Sequence, residues 1–184
     1  MKKIIQVLLV CTLFISCSKD KEVETTTTTV VDNATILTFK DIELSQTNSS
    51  TTFGRYFSTK LGKTLKQSEV NSSNGADIDL VYVGGTSGLF YFESPDRITG
   101  SIAIPNAQKS LFKNYLSGFT VADFDAMTDD TKLKNLEVIN DNESIGTLSL
   151  PLIVTFKNAA GKKGVIKLKA INAERLLVDI KVQK

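Results

Sequence analysis

The C-terminal segment LSLPLIVTFKNAAGKKGVIKLKAINAERLLVDIKVQK, residues 148–184, decides the fold. Apolar side chains alternate with other side chains in three runs of it, and a period of two is typical of strands that bury one face. The alternating positions are Leu148, Leu150, Leu152, Val154 and Phe156, then Ile166, Leu168 and Ala170, then Val178, Ile180 and Val182. The segment therefore predicts three consecutive strands, with a turn within residues 158–163.

The last two of these strands are predicted to form a hairpin. If their apolar positions share one face, Leu168 pairs with Ile180, because a slip of one residue would place leucine beside aspartate. On the outer face Lys169 would then oppose Asp179, a pair worth about 0.2–1 kcal/mol.

Earlier parts of the chain also indicate strands. Ile78, Leu80 and Tyr82 are expected to share one face, and residues 89–93 follow after a glycine-rich break, as in a hairpin. These patterns predict a mainly β domain, antiparallel and similar to a β-sandwich. The alternative is an α+β fold.

The hydrophobic period changes over residues 105–136, where a short helical insertion is predicted. A first helix would end at Gly118. Thr120 is the expected N-cap of a second helix, with Asp123 at its third position, and Thr128 is the expected cap of a third. The apolar face of the first helix would hold Ala107, Leu111, Tyr115 and Leu116.

The N-terminus has the order of a signal peptide. Lys2 and Lys3 precede an apolar run over residues 4–15, and the small residue Ser16 stands directly before Cys17. The run is too short for a membrane-spanning helix, which needs about 20 residues. Residues 1–16 are therefore predicted to be a signal peptide.

The motif LFISC, residues 13–17, resembles the bacterial lipobox. In lipoproteins with this motif, cleavage precedes a cysteine that carries diacylglycerol on its sulfur and a fatty acid such as palmitate on its new amine. The resemblance implies that Cys17 is lipidated and that this anchor is the contact with the membrane. More than one chain makes such anchoring stable.

The residues after Cys17 resemble the export signal of Bacteroidota surface lipoproteins. The matching residues are Lys19, Asp20 and Glu22. The resemblance implies an outer-membrane lipoprotein that faces the cell exterior, with the periplasmic face as the alternative.

Four further motifs resemble modules of Bacteroidota surface lipoproteins of unknown activity. They are IDLVY at residues 78–82, ESPD at 93–96, GKKGVIK at 161–167 and VDIKVQK at 178–184. These motifs are structural, so the resemblance implies no functional residue.

Residues 17–33 are predicted to be the lipidated cysteine followed by a disordered tether. This segment is polar, includes five consecutive threonines and has too few large apolar side chains to offset the entropy of ordering. Residues 34–184 are then expected to form a single β-rich domain.

Composition excludes several classes of function. The chain has 22 Lys and Arg against 20 Asp and Glu, and removal of Lys2 and Lys3 with the signal peptide makes the totals equal. This balance does not favour nucleic-acid binding, which needs a cationic surface. The chain has no histidine. Of its two cysteines, Cys11 would be removed with the signal peptide and Cys17 would carry lipid. Catalytic triads and thiol or histidine metal sites are therefore excluded. We expect neither enzymatic activity nor a cofactor.

An aromatic cluster is the best candidate for a ligand platform. It comprises Tyr82, Phe90, Tyr91 and Phe92, with Arg97 nearby. In a strand Tyr91 must face away from Phe90 and Phe92, so one set is expected in the core and the other could contact a glycan or an envelope protein. The alternative is a sheet buried on both faces.

Acidic residues suggest weaker possibilities. Asp77 and Asp79 lie two apart in an expected strand, where they could bind calcium or act as acid and base, or simply be solvated. A hydrolase would need two such acids about 5–10 Å apart, with Asp96 as another candidate. Helix capping accounts for part of a second acidic cluster, formed by Asp123, Asp125, Asp129 and Asp130.

Charge is unevenly distributed along the chain. Residues 157–184 have eight basic and two acidic side chains, whereas residues 120–145 have seven acidic and two basic ones. The basic strands could approach anionic headgroups, or the two segments could match each other internally. Three functions therefore stay open: a binding module, a structural subunit of an envelope complex, and a carboxylate-dependent hydrolase.

Overall fold

A computed structural model describes residues 29–84, 89–115, 117–141, 143–145 and 149–184. Within these ranges the chain forms ten strands in two antiparallel sheets, with two short α-helices. The predicted mainly β, sandwich-like class is confirmed. The predicted signal peptide, the lipidation site Cys17 and the export-signal residues Lys19, Asp20 and Glu22 lie outside the described residues.

The larger sheet has the strand order β1-β2-β10-β9-β8-β7, and the smaller sheet has the order β4-β3-β5-β6. The strands are β1 Thr29–Asp32, β2 Ile36–Ser45, β3 Tyr56–Ser58, β4 Lys63–Leu65, β5 Leu80–Val83, β6 Tyr91–Glu93, β7 Leu111–Lys113, β8 Leu152–Lys157, β9 Lys163–Ile171 and β10 Arg175–Gln183. The helices are α1 Val121–Ala126 and α2 Thr131–Lys134.

The main core lies between the two sheets. A run of rings crosses it: Phe92 of the smaller sheet stacks on Phe112 at 6.2 Å between centroids, and Phe112 stacks on Phe156 at 6.1 Å. A second cluster, which includes Phe124 and Leu133, packs α1 and α2 on the outer face of the larger sheet. A third lies on the outer face of the smaller sheet.

The register of the C-terminal hairpin differs from the prediction. Val178, not Ile180, lies opposite Leu168, and the pairing shifts between Leu177 and Val178. A bulge of this kind adds one residue to a strand, which the apolar pattern alone cannot reveal. The apolar face is preserved at Leu168 because the error there is two residues. The expectation that Lys169 opposes Asp179 is wrong, since Lys167 lies opposite Asp179, although Lys169 Nζ is 3.0 Å from Asp179 Oδ1.

The hairpin of β5 and β6 is confirmed, with Tyr82 opposite Phe92. The expectation that Ile78 shares a face with Leu80 is wrong. A short 3₁₀ helix, Gly75–Asp77, interrupts the alternation, and Ile78 packs in the outer cluster of the smaller sheet.

The helical insertion is partly different from the prediction. Residues 111–113, expected in a helix, form β7, because Phe112 pairs with Phe156 and completes the ring stack. The Thr120 cap is confirmed: its hydroxyl accepts a hydrogen bond from the Asp123 amide at 3.1 Å. Helix α2 begins at residue 131 rather than directly after Thr128.

Strand pairing begins before the predicted start of the domain at residue 34. The exposed strand β1, Thr29–Asp32, pairs with β2 and lies inside the segment that was expected to be a tether. Among the described residues, no helix has the length and apolar character needed to cross a bilayer.

Candidate functional site

The structure divides the predicted aromatic platform between the core and the surface. Tyr82 and Phe92 are 0% and 1% exposed and belong to the core between the sheets, so neither ring can serve as a ligand platform. Phe90 is half-buried against the same core. Tyr91 faces the other way, as predicted, and is half-buried at the surface.

Two clefts flank Tyr91, and Tyr91, Glu93 and Arg97 line both. The first, here called the Arg55 cleft, has a volume of about 340 Å³. The second, the Asp141 cleft, has about 420 Å³. Both volumes fall in the range of small-molecule sites, about 300–1,000 Å³.

The Arg55 cleft lies against the outer face of the β5–β6 hairpin. Its floor and walls include Arg55, Val81, Val83 and Tyr91, and loops contribute Asn48 and Thr99. The Asp141 cleft is lined by Leu89, Tyr91, Asn114, Asp141, Glu143 and Ser144, among others.

Strand β6 is the edge of the smaller sheet, and the Asn114 side chain and the Ile145 backbone amide bind its open edge. The Asn114 side chain accepts a hydrogen bond from the Phe92 amide at 2.7 Å and donates one to the Phe92 carbonyl at 3.1 Å. The Ile145 amide donates to the Phe90 carbonyl at 2.6 Å. These bonds occupy the edge that another strand would need and hold Tyr91 in a fixed position.

The carboxylate that names the Asp141 cleft has structural partners. Asp141 accepts hydrogen bonds from the Tyr115 amide at 3.0 Å and from the Asn114 side chain at 3.4 Å. Its own amide donates to the Phe112 carbonyl. Asp141 therefore links the end of β7 to the segment between α2 and β8.

Glu93 and Arg97 form the ridge between the clefts. Arg97 Nε lies 3.6 Å from Glu93 Oε1, and the Arg97 side chain is 51% exposed. Glu93 Oε1 also accepts a hydrogen bond from the Ser94 amide at 2.9 Å. The half-exposed Arg97 side chain thus lies at the rim that the two clefts share.

Arg55 is the unusual residue of the first cleft. It is only 6% exposed, and its Nε donates a hydrogen bond to the Tyr82 carbonyl at 2.9 Å. Its Nη2 is buried, and among the described residues it has no hydrogen-bond partner. Burial lowers the pKa of Arg55, but an arginine stays charged in proteins. A buried, incompletely paired cation is costly to the fold.

The backbone around Arg55 explains its position. A Cβ atom on Gly54 would lie 2.4 Å from the Leu65 carbonyl oxygen, so only glycine allows β4 to approach this closely. The Arg55 amide donates to that carbonyl, and the Arg55 carbonyl accepts from the Tyr82 amide. Arg55 is not among the site residues that the sequence predicted. The available signal was its place between Phe53 and Phe57 in an alternating run, where an apolar side chain is expected.

The two acids proposed for calcium do not share a strand. Asp77 ends the 3₁₀ helix and pairs with Lys60 at 2.8 Å. Asp79 accepts hydrogen bonds from the Thr59 amide at 2.7 Å and the Thr59 hydroxyl at 2.6 Å. Burial raises the pKa of Asp79. In the described ranges no three acidic side chains come together as a metal site.

The acids considered for hydrolysis do not meet in either cleft. Asp77 and Asp79 have the partners just described, and Asp96 accepts a hydrogen bond from the Ser94 hydroxyl. None of the three lines the Arg55 or the Asp141 cleft.

The acidic helices cover the basic strands, so the structure favours internal charge matching. Lys167 forms an ion pair with Asp125. Lys181 donates hydrogen bonds to the Phe124 carbonyl at 2.8 Å and the Met127 carbonyl at 2.7 Å, at the end of α1. Its Nζ also lies 4.9 Å from the centre of the Phe124 ring. Part of the basic strand face is thereby removed from the surface.

Comparisons with protein-family models, with curated proteins and with solved structures found no match to this chain.

Proposed function

We propose that this protein is a lipid-anchored binding module of the bacterial envelope, and that it binds a glycan across Tyr91. The observation that carries the proposal is the position of Tyr91 between two clefts, on a strand whose edge is held by Asn114. No catalytic step is part of this function.

The chemistry of Tyr91 and of the Arg55 cleft suits a sugar. A tyrosine ring offers a flat apolar face for the C–H groups of a pyranose and a hydroxyl for hydrogen bonding. Exposed Asn48 and Thr99 line the first cleft, and both can donate to and accept from sugar hydroxyls. A glycan chain that crosses Tyr91 would contact both clefts.

The sharpest test uses two tyrosine variants of the full chain on an array of bacterial envelope glycans. Tyr91→Ala should reduce affinity about tenfold or more, because buried aromatic anchors carry much of the energy of a binding site. Tyr115→Ala is the matched control, because Tyr115 is 50% exposed and lines neither cleft. Equal binding by both variants, or no binding by the native protein, would contradict the proposal.

The lipid anchor supports a location at the outer membrane, facing the exterior, with the periplasmic face as the alternative. The proposal depends on Cys17 and on the residues that follow it. Cys17→Ser should release the protein from the membrane fraction, and intact cells should expose the native protein to added protease. Membrane retention of the serine variant would refute lipidation, while protection from protease would place the domain in the periplasm.

A second candidate function is a structural subunit of an envelope complex. The exposed strand β1 forms one edge of the larger sheet, and its residue Val30 is 47% exposed. A partner could add a strand at this edge. Affinity capture of the lipidated protein from intact cells should then recover a defined complex that Val30→Lys abolishes and Tyr91→Ala does not.

A further inference from the structure

The three arginines of the chain have different partners. Arg175 Nη1 lies 2.6 Å from Glu43 Oε1, and Arg97 pairs with Glu93. Arg55 is the most buried of the three, and among the described residues no carboxylate pairs with it. Its side chain lines the Arg55 cleft, and its buried Nη2 has no hydrogen-bond partner among the described residues.

We propose that the ligand is an acidic sugar, and that its carboxylate accepts hydrogen bonds from the Arg55 guanidinium. The inference rests on the proposed glycan-binding function and adds the charge class of the ligand and the residue that selects it.

A carboxylate is the natural partner of this group. Guanidinium N–H groups match the geometry of carboxylate oxygens, and hydrogen bonds between charged groups are among the strongest in proteins. Because Arg55 is already desolvated, a ligand carboxylate would meet a donor that has little water to lose.

The rest of the cleft favours a sugar over a bare anion or a peptide end. Tyr91 provides a ring surface, and Asn48 and Thr99 provide polar groups around the same space. Glu93 would repel an anion, but Arg97 and the Ser94 amide already hold its carboxylate.

The test compares sugars that differ only at C6, where one has a carboxylate and the other a hydroxymethyl group. Glucuronate and glucose differ at C6, as do galacturonate and galactose, so each pair isolates the carboxylate. The full chain in detergent micelles is titrated with each sugar, and the Arg55 Nε–H signal is followed by NMR. We expect a saturable shift with a uronate and affinity about tenfold or more weaker for its neutral counterpart, as for a lost charged hydrogen bond.

Two variants assign the effect to one residue. Arg55→Gln removes the charge and keeps an N–H donor that can serve the Tyr82 carbonyl, so the preference for the uronate should disappear. Arg175→Gln removes the same charge away from both clefts and should keep the preference. The comparison of sugars on the native protein stands even if a variant folds poorly.

The outcomes separate this inference from the function on which it rests. If neutral and acidic sugars bind equally and Arg55→Gln has no effect, the inference is overturned and glycan binding stands. If no sugar binds, both are overturned. If only inorganic phosphate or a peptide with a free C-terminal carboxylate binds, Arg55 holds an anion but the acidic-sugar inference is wrong.

Discussion

The outer faces of the two sheets each contact a cationic side chain, but the two cations have different partners. Lys181 on the larger sheet is partly buried, and Arg55 on the smaller sheet is almost fully buried. On the larger sheet, Lys181 has two helix carbonyls and an aromatic ring as partners. On the smaller sheet, Arg55 has one carbonyl and leaves Nη2 without a partner among the described residues. The first cation is used by the fold, whereas the second lies at a cleft.

This difference separates structural charge from candidate functional charge. Three lysines of β9 and β10 hold the α1–α2 segment on the strands, because each binds a backbone carbonyl or an acidic side chain of that segment. They are Lys163, Lys167 and Lys181. Arg55 binds a single carbonyl, that of Tyr82, among the described residues. Substitutions on the two faces should therefore have different effects, and the following predictions test that contrast.

The largest effect is expected at Phe124, the centre of the helical cover. Its side chain is 3% exposed, and Lys167 and Lys181 both lie over its ring. Phe124→Ala should lower the free energy of unfolding by about 3–5 kcal/mol, measured by urea denaturation, because it leaves a cavity. Phe119→Ala, in the partly buried margin of the same cluster, should cost less. Equal losses of stability for the two variants would show that Phe124 is not the centre of this cluster.

The next effect is expected at the paired lysine. Lys181→Met keeps the aliphatic stem and removes the hydrogen bonds to Phe124 and Met127. The free energy of unfolding should fall by about 1.5–3 kcal/mol, the range for hydrogen bonds to charged groups. A neutral result would mean that Lys181 does not hold the helix end.

The cap of α1 should contribute less. Thr120→Ala removes the hydroxyl that accepts from the Asp123 amide, so a loss of about 1 kcal/mol is expected in the same denaturation assay. Thr128→Ala is the control, because Thr128 is exposed and does not begin a helix. A larger loss at Thr128 than at Thr120 would contradict the observed helix start.

A smaller, pH-dependent effect is expected at Asp123. Lys132 and Thr120 lower the pKa of Asp123 from 3.8 to about 2. A carboxylate with a lowered pKa stabilises the fold above its unfolded pKa, and that contribution is lost as the pH falls towards the folded pKa. Asp123→Asn should thus be less stable than the native protein at pH 7, with the difference shrinking between pH 4 and 2. A constant difference would refute the shift.

The smallest effect on stability is expected at Arg55. Arg55→Gln removes a buried charge and can keep a donor to the Tyr82 carbonyl. The free energy of unfolding should change by less than about 1 kcal/mol or rise, because the desolvation cost disappears. A loss as large as that of Lys181→Met would break the contrast between the two faces and make Arg55 a structural residue.

Local patterns predicted part of this architecture. The β5–β6 hairpin and the Thr120 cap follow from groups close together in sequence, and both are present. Strand β7 was mistaken for helix because the position of Phe112 is set by Phe156, far along the chain. In the site, alternation predicted that Tyr91 and Phe92 face opposite sides of the sheet, but it did not predict that Tyr82 is buried.

The sequence by itself determined the β class, the buried face of the C-terminal strands and the helix cap, because each depends on spacing within a few residues. Only the tertiary structure decided the bulge in the last hairpin, the pairing of Lys181 with a helix end and the exposure of Tyr91 between two clefts. It also decided that Arg55 is buried without a carboxylate partner among the described residues. These features arise from contacts between segments distant in the chain, which local periodicity does not encode.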